Sequence, residues 1–212
     1  NPNNADEYAT PDGWRRFTIR NETIVVKGDR DRVVEIKETL WGPVAEKPLM
    51  GYPVALRWIA LDPDAVDLGL LQMDQARTVR DAIAVANRAG GPPNNVLLAD
   101  ADGHIAWTFM GKIPVRRGFD GSVSVSWADG RTGWNGFIAP DELPRIVDPP
   151  SGYLVNANHR MVGEEYPHVI GHAFANGYRA YRITERLRDK DRFHETDLLA
   201  LQLDTTAQVY EF

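Results

Sequence analysis

The 212-residue sequence contains no cysteine. That absence excludes disulfides, thiolate zinc sites and a cysteine nucleophile, and it leaves the redox compartment unassigned. No apolar run approaches the roughly 20 residues needed to span a bilayer, and no signal-like segment opens the chain. A Gly-rich phosphate loop is missing, and Gly121-Ser122-Val123-Ser124 lacks the second glycine of a nucleophile elbow. Basic stripes are missing as well: the formal charge is -6, and scattered arginines do not make a nucleic-acid surface. With 43% hydrophobic and 25% charged residues, what is present suits an ordinary folded core rather than a disordered or fibrous chain. The chain begins Asn1-Pro2-Asn3-Asn4 without Met and finishes at Val209-Tyr210-Glu211-Phe212 in what reads as a developing helix, so both ends read as cut.

The first third is strand-like. Trp14 to Lys27 alternates around an expected turn at Arg20-Asn21, Val33 to Glu38 repeats the period, and Val54 to Ala60 is a third apolar run. An antiparallel meander follows from this pattern. From Thr78 to Arg88 the period becomes helical, with Val79, Ala82, Ile83 and Ala86 on one face, Thr78 and Asp81 as a capping-box start, and Gly90-Gly91 as the stop. Asn95 to Asp100 and His104 to Phe109, around Asp102-Gly103, read as a hairpin. Residues 111–150 read as a long structured loop carrying Trp127 and Trp134, and Gly152 to Asn158 as a short buried strand. Gly177 to Arg188 and Thr196 to Leu203 read as helices. The class is therefore α/β or α+β with mainly antiparallel strands.

Asn156-Ala157-Asn158-His159-Arg160 is the most suggestive cluster, because an apolar strand that runs into amides needs those amides paired. Either a structural hydrogen-bond network or a polarising site fits, and the local sequence leans to the former. His168 and His172 have the spacing of a zinc helix, but Val169 stands where a metalloprotease needs Glu. Asp100-Ala101-Asp102-Gly103 imitates the start of a calcium loop but lacks the later Gly and Glu positions. Asp62-Pro63-Asp64 is ordinary turn chemistry. Arg179, Arg182, Arg186 and Arg188 lie near Glu185, Asp189 and Asp191, as on a solvated, salt-bridged helix face.

Taken in order, several stretches resemble the large chain of the penicillin amidase family, over nearly the whole sequence. They are Asn3 to Tyr8; Glu38-Thr39-Leu40-Trp41-Gly42-Pro43-Val44, with Trp41 where the family usually has His; Asn95 to Trp107; Gly111-Lys112-Ile113-Pro114; Trp134 to Ile138; Gly152 to Arg160; Gly177 to Ile183; and Leu201 to Thr206. The resemblance implies an α+β chain that is part of a four-layer αββα N-terminal-nucleophile fold. Residues 1–212 would then be a single incomplete domain, the central part of the large chain, truncated at both ends. It also implies a precursor that cuts itself into a small and a large chain, and a linear-amide hydrolase whose nucleophile is the N-terminal Ser of the large chain, with its own α-amine as base. No residue here corresponds to that Ser, so this chain alone is expected to be inactive. By the same resemblance Asn158 supplies a side-chain oxyanion donor, and Arg179 holds that Asn and the amine.

The family frequently carries a structural calcium. Asp6 matches one acidic ligand, Ala5 offers a carbonyl, Asn3 stands where Asp is common, and Ile170 falls where a later acidic ligand is expected. The resemblance further implies an N-acylated small-molecule substrate, partnership with the small chain and the remaining parts of the large chain, no nucleic acid or membrane partner, and a periplasmic or extracellular location. Leu70 and Asn94 lie near acyl-pocket positions that in penicillin G acylases are aromatic and apolar, so the acyl group stays open among benzylic, long-chain homoserine lactone, lipopeptide and cephalosporin types. The rival reading is a non-catalytic ligand- or carbohydrate-binding module with a loop lined by Trp127 and Trp134.

Overall fold

The computed structural model describes residues 1–207, so the helix expected around Val209 to Phe212 lies outside the described residues. Along the chain run strands β1 (Glu7–Thr10), β2 (Gly13–Arg16), β3 (Thr18–Ile24), β4 (Arg32–Thr39) and β5 (Gly42–Pro43). Short 3-10 segments at Ile59–Leu61, Pro63–Ala65 and Leu68–Gln75 lead to helix α1 (Val79–Ala86). Then come β6 (Asn94–Ala99), β7 (Ile105–Met110), β8 (Pro114–Arg117), β9 (Gly133–Phe137) and β10 (Arg145–Val147), followed by α2 (Tyr178–Arg188) and α3 (Glu195–Gln202). All strand pairs are antiparallel, as the sequence pattern predicts. The chain divides into two compact units.

The first unit comprises Asn1–Leu68, Gly90–Pro92 and Lys112–Ile138. Its largest piece is the β3–β4 ladder, from Thr18 opposite Glu38 to Ile24 opposite Arg32, extended by β5. The turn expected at Arg20-Asn21 does not exist. Arg20 and Asn21 sit inside β3 opposite Ile36 and Glu35, and the Arg20 guanidinium is held by Glu22 at 3.3 Å and Glu38 at 2.9 Å. The reversal comes instead in residues 25–31, where Gly28 takes φ 79° and Asp29 and Asp31 accept backbone N–H groups. Val54 to Ala60 is not a strand either. Pairing there consists of the Val44–Ala55 bridge, with bonds from Ala45 N–H to the Val54 carbonyl and from Leu56 N–H to the Pro43 carbonyl, after which the chain coils into 3-10 turns beside the Arg57–Asp62 ion pair. Gly42, at φ 139°, lets the Leu56 carbonyl come so close that any Cβ would collide with it. Residues 111–150 are more regular than a loop: β8 and β9 pair there with a bulge between Pro114 and Arg116, where proline removes one ladder donor.

The second unit comprises Gly69–Ala89, Pro93–Gly111 and the chain from Ala139 onward. Its sheet has the order β10-β7-β6, which makes β7 central and explains why Ala106, Trp107 and Thr108 are fully buried. Alternation along β7 puts Ala106 on one face, opposite Leu98 and Val147 in register, and Val79 and Ile83 of α1 pack there. Trp107 belongs to the other face, level with Leu97. Helix α1 starts as the sequence predicts. Thr78 accepts from Asp81 N–H at 3.2 Å, and the Asp81 carboxylate accepts from Thr78 N–H at 3.1 Å. The Thr78 hydroxyl first, then the Arg77 N–H and the Thr78 N–H, lower the Asp81 pKa. It ends at Asn87 rather than Gly90, because the Asn87 carboxamide turns inward and donates to Thr108 Oγ1 and the Phe109 carbonyl, both at 2.8 Å.

Candidate functional site

The expected strand over Gly152 to Asn158 is absent, and its amides are the reason. The Asn156 side-chain oxygen accepts from Asn158 N–H at 3.2 Å, so a side chain takes a donor that a sheet ladder would otherwise use. Asn158 then adopts φ 63°, a left-handed conformation that asparagine tolerates better than most residues. Its carbonyl accepts from Ala175 N–H at 2.9 Å, which ties this turn to the segment leading into α2.

Helix α2 brings Arg179 to that turn from its first turn, while Ala180 faces inward and is buried. Arg179 Nη2 donates to the Ala157 carbonyl at 2.7 Å and to Asn158 Oδ1 at 3.1 Å. At the other end of the same helix, Arg188 Nε donates to the Tyr153 hydroxyl at 3.2 Å. Both ends of the 153–158 segment are therefore held by arginines of one helix. Because guanidinium can only donate, it takes the oxygen side of the carboxamide. The two Nδ2 N–H donors meet no described residue, and Asn158 is exposed. A charge-assisted bond at the oxygen polarises the amide and strengthens those N–H groups as donors toward an anion.

The remaining helix arginines behave as a salt-bridged face. Arg182 pairs with Asp204 at 2.8 Å and Glu185 at 3.4 Å, and Arg186 pairs with Asp189 at 3.4 Å. The pair His168 and His172, which has zinc-helix spacing in the sequence, lies in irregular chain, with His168 Nε2 at 3.7 Å from Glu142.

In the first unit, Asn3 to Asp6 form two side-chain-supported turns: Asn3 N–H bonds Asn1 Oδ1 at 3.0 Å, and Asp6 N–H bonds Asn4 Oδ1 at 3.1 Å. The Asp6 carbonyl accepts from Phe17 N–H at 3.0 Å. The oxygen-bearing groups of this stretch are the Asp6 carboxylate, the Asn3 amide and carbonyls such as that of Ala5, fewer than the six to eight oxygens that a calcium ion takes. Among the described residues, no group of three or more His, Cys, Asp or Glu is placed to hold a metal.

Trp41, which stands where a His was expected, has a packing role. Its ring meets Tyr8 at 5.9 Å and Trp127 at 6.1 Å, and Trp127 in turn meets Phe119 and Trp134. Arg57 lies 4.5 Å over Trp134. The tryptophans of the presumed binding loop thus pack on one another. His104 was read only as a strand residue, yet its Nδ1 meets Asp148 Oδ2 at 2.8 Å. The hydrogen bond and charge of Asp148, with Asp100 and Asp102 nearby, raise the imidazole pKa. The signal available in the sequence was the loop aspartate after β10, which has no local role there.

The penicillin amidase family model matches residues 1–212. The chain is 32% identical over 197 residues to the penicillin acylase 2 proenzyme of a Pseudomonas species, covering 92% of this chain and 25% of that protein. It is 30% identical over 209 residues to the acyl-homoserine lactone acylase QuiP of Pseudomonas fluorescens, covering 95% of this chain and 25% of that protein. The chain thus spans about a quarter of the length of these curated relatives. Among solved structures it is similar to a thermostable penicillin G acylase from Alcaligenes faecalis, with a TM-score of 0.77, 27% identity, and coverage of 95% of this chain and 36% of that one. The mixed antiparallel architecture and the full-length family match agree: the chain belongs to the penicillin amidase family, whose N-terminal-nucleophile fold it shares in part.

Proposed function

We propose that the protein to which this chain belongs hydrolyses a linear amide, releasing an N-acyl group from the amine of a β-lactam, a homoserine lactone or a lipopeptide. The observation that carries this reading is the Arg179–Asn158 bond, which leaves the Asn158 N–H donors exposed. The named acylases among its relatives support an enzyme of this class.

In this reading the nucleophile is an N-terminal Ser supplied by another part of the large chain. Its α-amine, with a pKa of about 8, is partly unprotonated at neutral pH and takes the hydroxyl proton as the oxygen attacks the amide carbon. The carbonyl oxygen becomes an oxyanion, and the Asn158 Nδ2 donates to it. Arg179 keeps the carboxamide oriented with its oxygen turned away from the developing charge. The C–N bond then breaks, the amine leaves with a proton from the α-ammonium, and water hydrolyses the acyl-Ser ester. The small chain and the other parts of the large chain complete the site, and the parent works in the periplasm or outside the cell.

A structural calcium belongs to the same proposal. It would be held through Asp6, Asn3 and the Ala5 carbonyl, with the remaining oxygens from elsewhere in the parent. Chelation is expected to lower the thermal midpoint of the intact enzyme, and an unchanged midpoint removes calcium from the account. For the activity itself, N-acyl substrates of the three classes should be turned over by the processed parent and not by the purified 212-residue chain. Turnover by the chain alone would show that the nucleophile lies within it and would overturn the assignment.

A further inference from the structure

Beyond Asn158 and Arg179, we infer that Asn95 and Asn156 are positioning residues that fix the backbone turn carrying the Asn158 carboxamide by anchoring that turn to the buried indole of Trp107. The inference rests on the reading of Asn158 as oxyanion donor.

Five residues form one hydrogen-bonded series, which passes through the backbone N–H of Asn158. Trp107 Nε1 donates to Asn95 Oδ1 at 2.9 Å. The same oxygen accepts from Asn156 Nδ2 at 3.1 Å. Asn156 Oδ1 accepts from Asn158 N–H at 3.2 Å, and Asn158 Oδ1 accepts from Arg179 at 3.1 Å. Each carboxamide has two possible orientations, and in isolation nothing chooses between them. Here both ends of the series are groups that only donate, an indole N–H and a guanidinium.

The consequence propagates by elimination. Indole forces Asn95 to present its oxygen. That oxygen demands a donor from Asn156, so Nδ2 of Asn156 faces Asn95 and Oδ1 faces the backbone of residue 158. There it accepts the N–H that shapes the left-handed turn at φ 63°. Arg179 settles the last carboxamide. All three amide orientations are thereby determined, and the unused donors of Asn158 are left on the exposed side.

The anchor is rigid where the rest is not. Asn95 and Asn158 are exposed, and side chains at such positions ordinarily change rotamer freely. Trp107, by contrast, is 0% exposed on the central strand β7 and packs edge-on to Phe109 at 5.1 Å. Asn95 stands on β6, opposite Phe109 in register and on the same sheet face as Trp107. A core side chain thus reaches the surface turn through two amides. Donors aimed at a transition state must be held to within fractions of an ångström, and this series supplies that constraint.

The test uses the full-length, self-processed parent enzyme and compares kcat, KM and thermal midpoint. Asn95→Leu removes the shared acceptor, and Asn156→Ala removes the link to residue 158. Each is expected to lower kcat by about tenfold to a hundredfold with KM little changed; the midpoint holds in Asn156→Ala and falls in Asn95→Leu, which leaves the buried Trp107 N–H unpaired. Asn95→Asp keeps an oxygen that accepts from both Trp107 and Asn156, and kcat is expected to stay near the parental value. Should Asn95→Leu fail to fold or process, Asn156→Asp serves in its place: it keeps the acceptor for Asn158 N–H, loses the donor to Asn95, and is expected to lower kcat. Parental kcat in Asn156→Ala, or in both Asn95→Leu and Asn156→Asp, overturns the inference while leaving the role of Asn158 intact. Parental kcat in Asn158→Ala overturns both.

Discussion

Arg179 grips Asn158 by its oxygen, at 3.1 Å, and grips the preceding carbonyl of Ala157 at 2.7 Å. A single guanidinium therefore sets both the side chain and the backbone of one turn. Asn158→Asp is the sharpest probe of this relationship. The substitution is nearly isosteric and keeps an oxygen for Arg179, but it replaces the Nδ2 donors with a second acceptor, and the carboxylate would repel an oxyanion. In the processed parent, kcat is expected to fall by about a hundredfold to a thousandfold, the size associated with losing one oxyanion donor, while the thermal midpoint holds. Arg179→Lys, which keeps the charge but not the planar fork, is expected to retain part of the activity. Parental kcat in Asn158→Asp would remove Asn158 from the chemistry.

Legibility in the sequence was uneven, and the physical reason differs from place to place. Helix α1 was readable because its apolar period and its Thr78/Asp81 start both act within a few residues. The β6–β7 hairpin was readable for the same reason, with alternation on both sides of a Gly-containing turn. Where local rules compete, the reading failed. At Arg20-Asn21 a turn-like pair is overruled by the β3–β4 ladder, which the cross-strand Arg20–Glu38 pair joins, and at Asn156 a side chain captures the donor that strand periodicity had reserved for a ladder. The meeting of Arg179 with Asn158 spans irregular chain and has no local signature, so only the family resemblance suggested it. The link from Trp107 to Asn95 joins positions two apart from true register across a hairpin, and it could be drawn only once that register was known.

Stability of the second unit should be concentrated where α1 meets the sheet. Ile83 is 5% exposed and packs with Val79 and fully buried Ala106, so its truncation leaves a cavity that neighbouring β7 cannot close. Ile83→Ala is expected to destabilise by about 2–5 kcal/mol, whereas Thr78→Ala, which removes the helix cap, costs about 1 kcal/mol. Leu198→Ala on α3, where the side chain is 44% exposed, serves as a control with a smaller effect. Denaturant midpoints give the ranking, and an Ile83→Ala midpoint equal to that of Leu198→Ala would contradict this placement of the core.

The His104–Asp148 pair should make the same unit respond to pH. Asp148, at φ 47°, accepts from Ile105 N–H at 3.0 Å and from the His104 ring at 2.8 Å, which clips the end of β10 to the start of β7. The backbone bond from Ile105, then the bond from His104, hold the Asp148 pKa below its ordinary 3.8, with Arg80 acting in the same direction. The imidazole moves the other way, above its ordinary 6.5, through Asp148 first and then Asp100 and Asp102. For a raised histidine the stabilisation is complete below the unfolded value and disappears as pH climbs through the folded one. For a depressed aspartate it is complete above the unfolded value and disappears as pH falls through the folded one. The contribution of the pair is therefore greatest between 3.8 and 6.5 and fades on either side. Asp148→Asn keeps an acceptor for Ile105 N–H and tolerates the left-handed backbone, so it isolates the charge. Its thermal midpoint is expected to lie below that of the parent at pH about 5.5, and the gap is expected to narrow as the imidazole loses its proton toward pH about 9, leaving the part that comes from the Ile105 N–H bond to the carboxylate. Because both side chains are substantially exposed, the gap at pH 5.5 should shrink in high salt. A gap that is constant across this pH range would mean that Asp148 acts through its backbone cap alone.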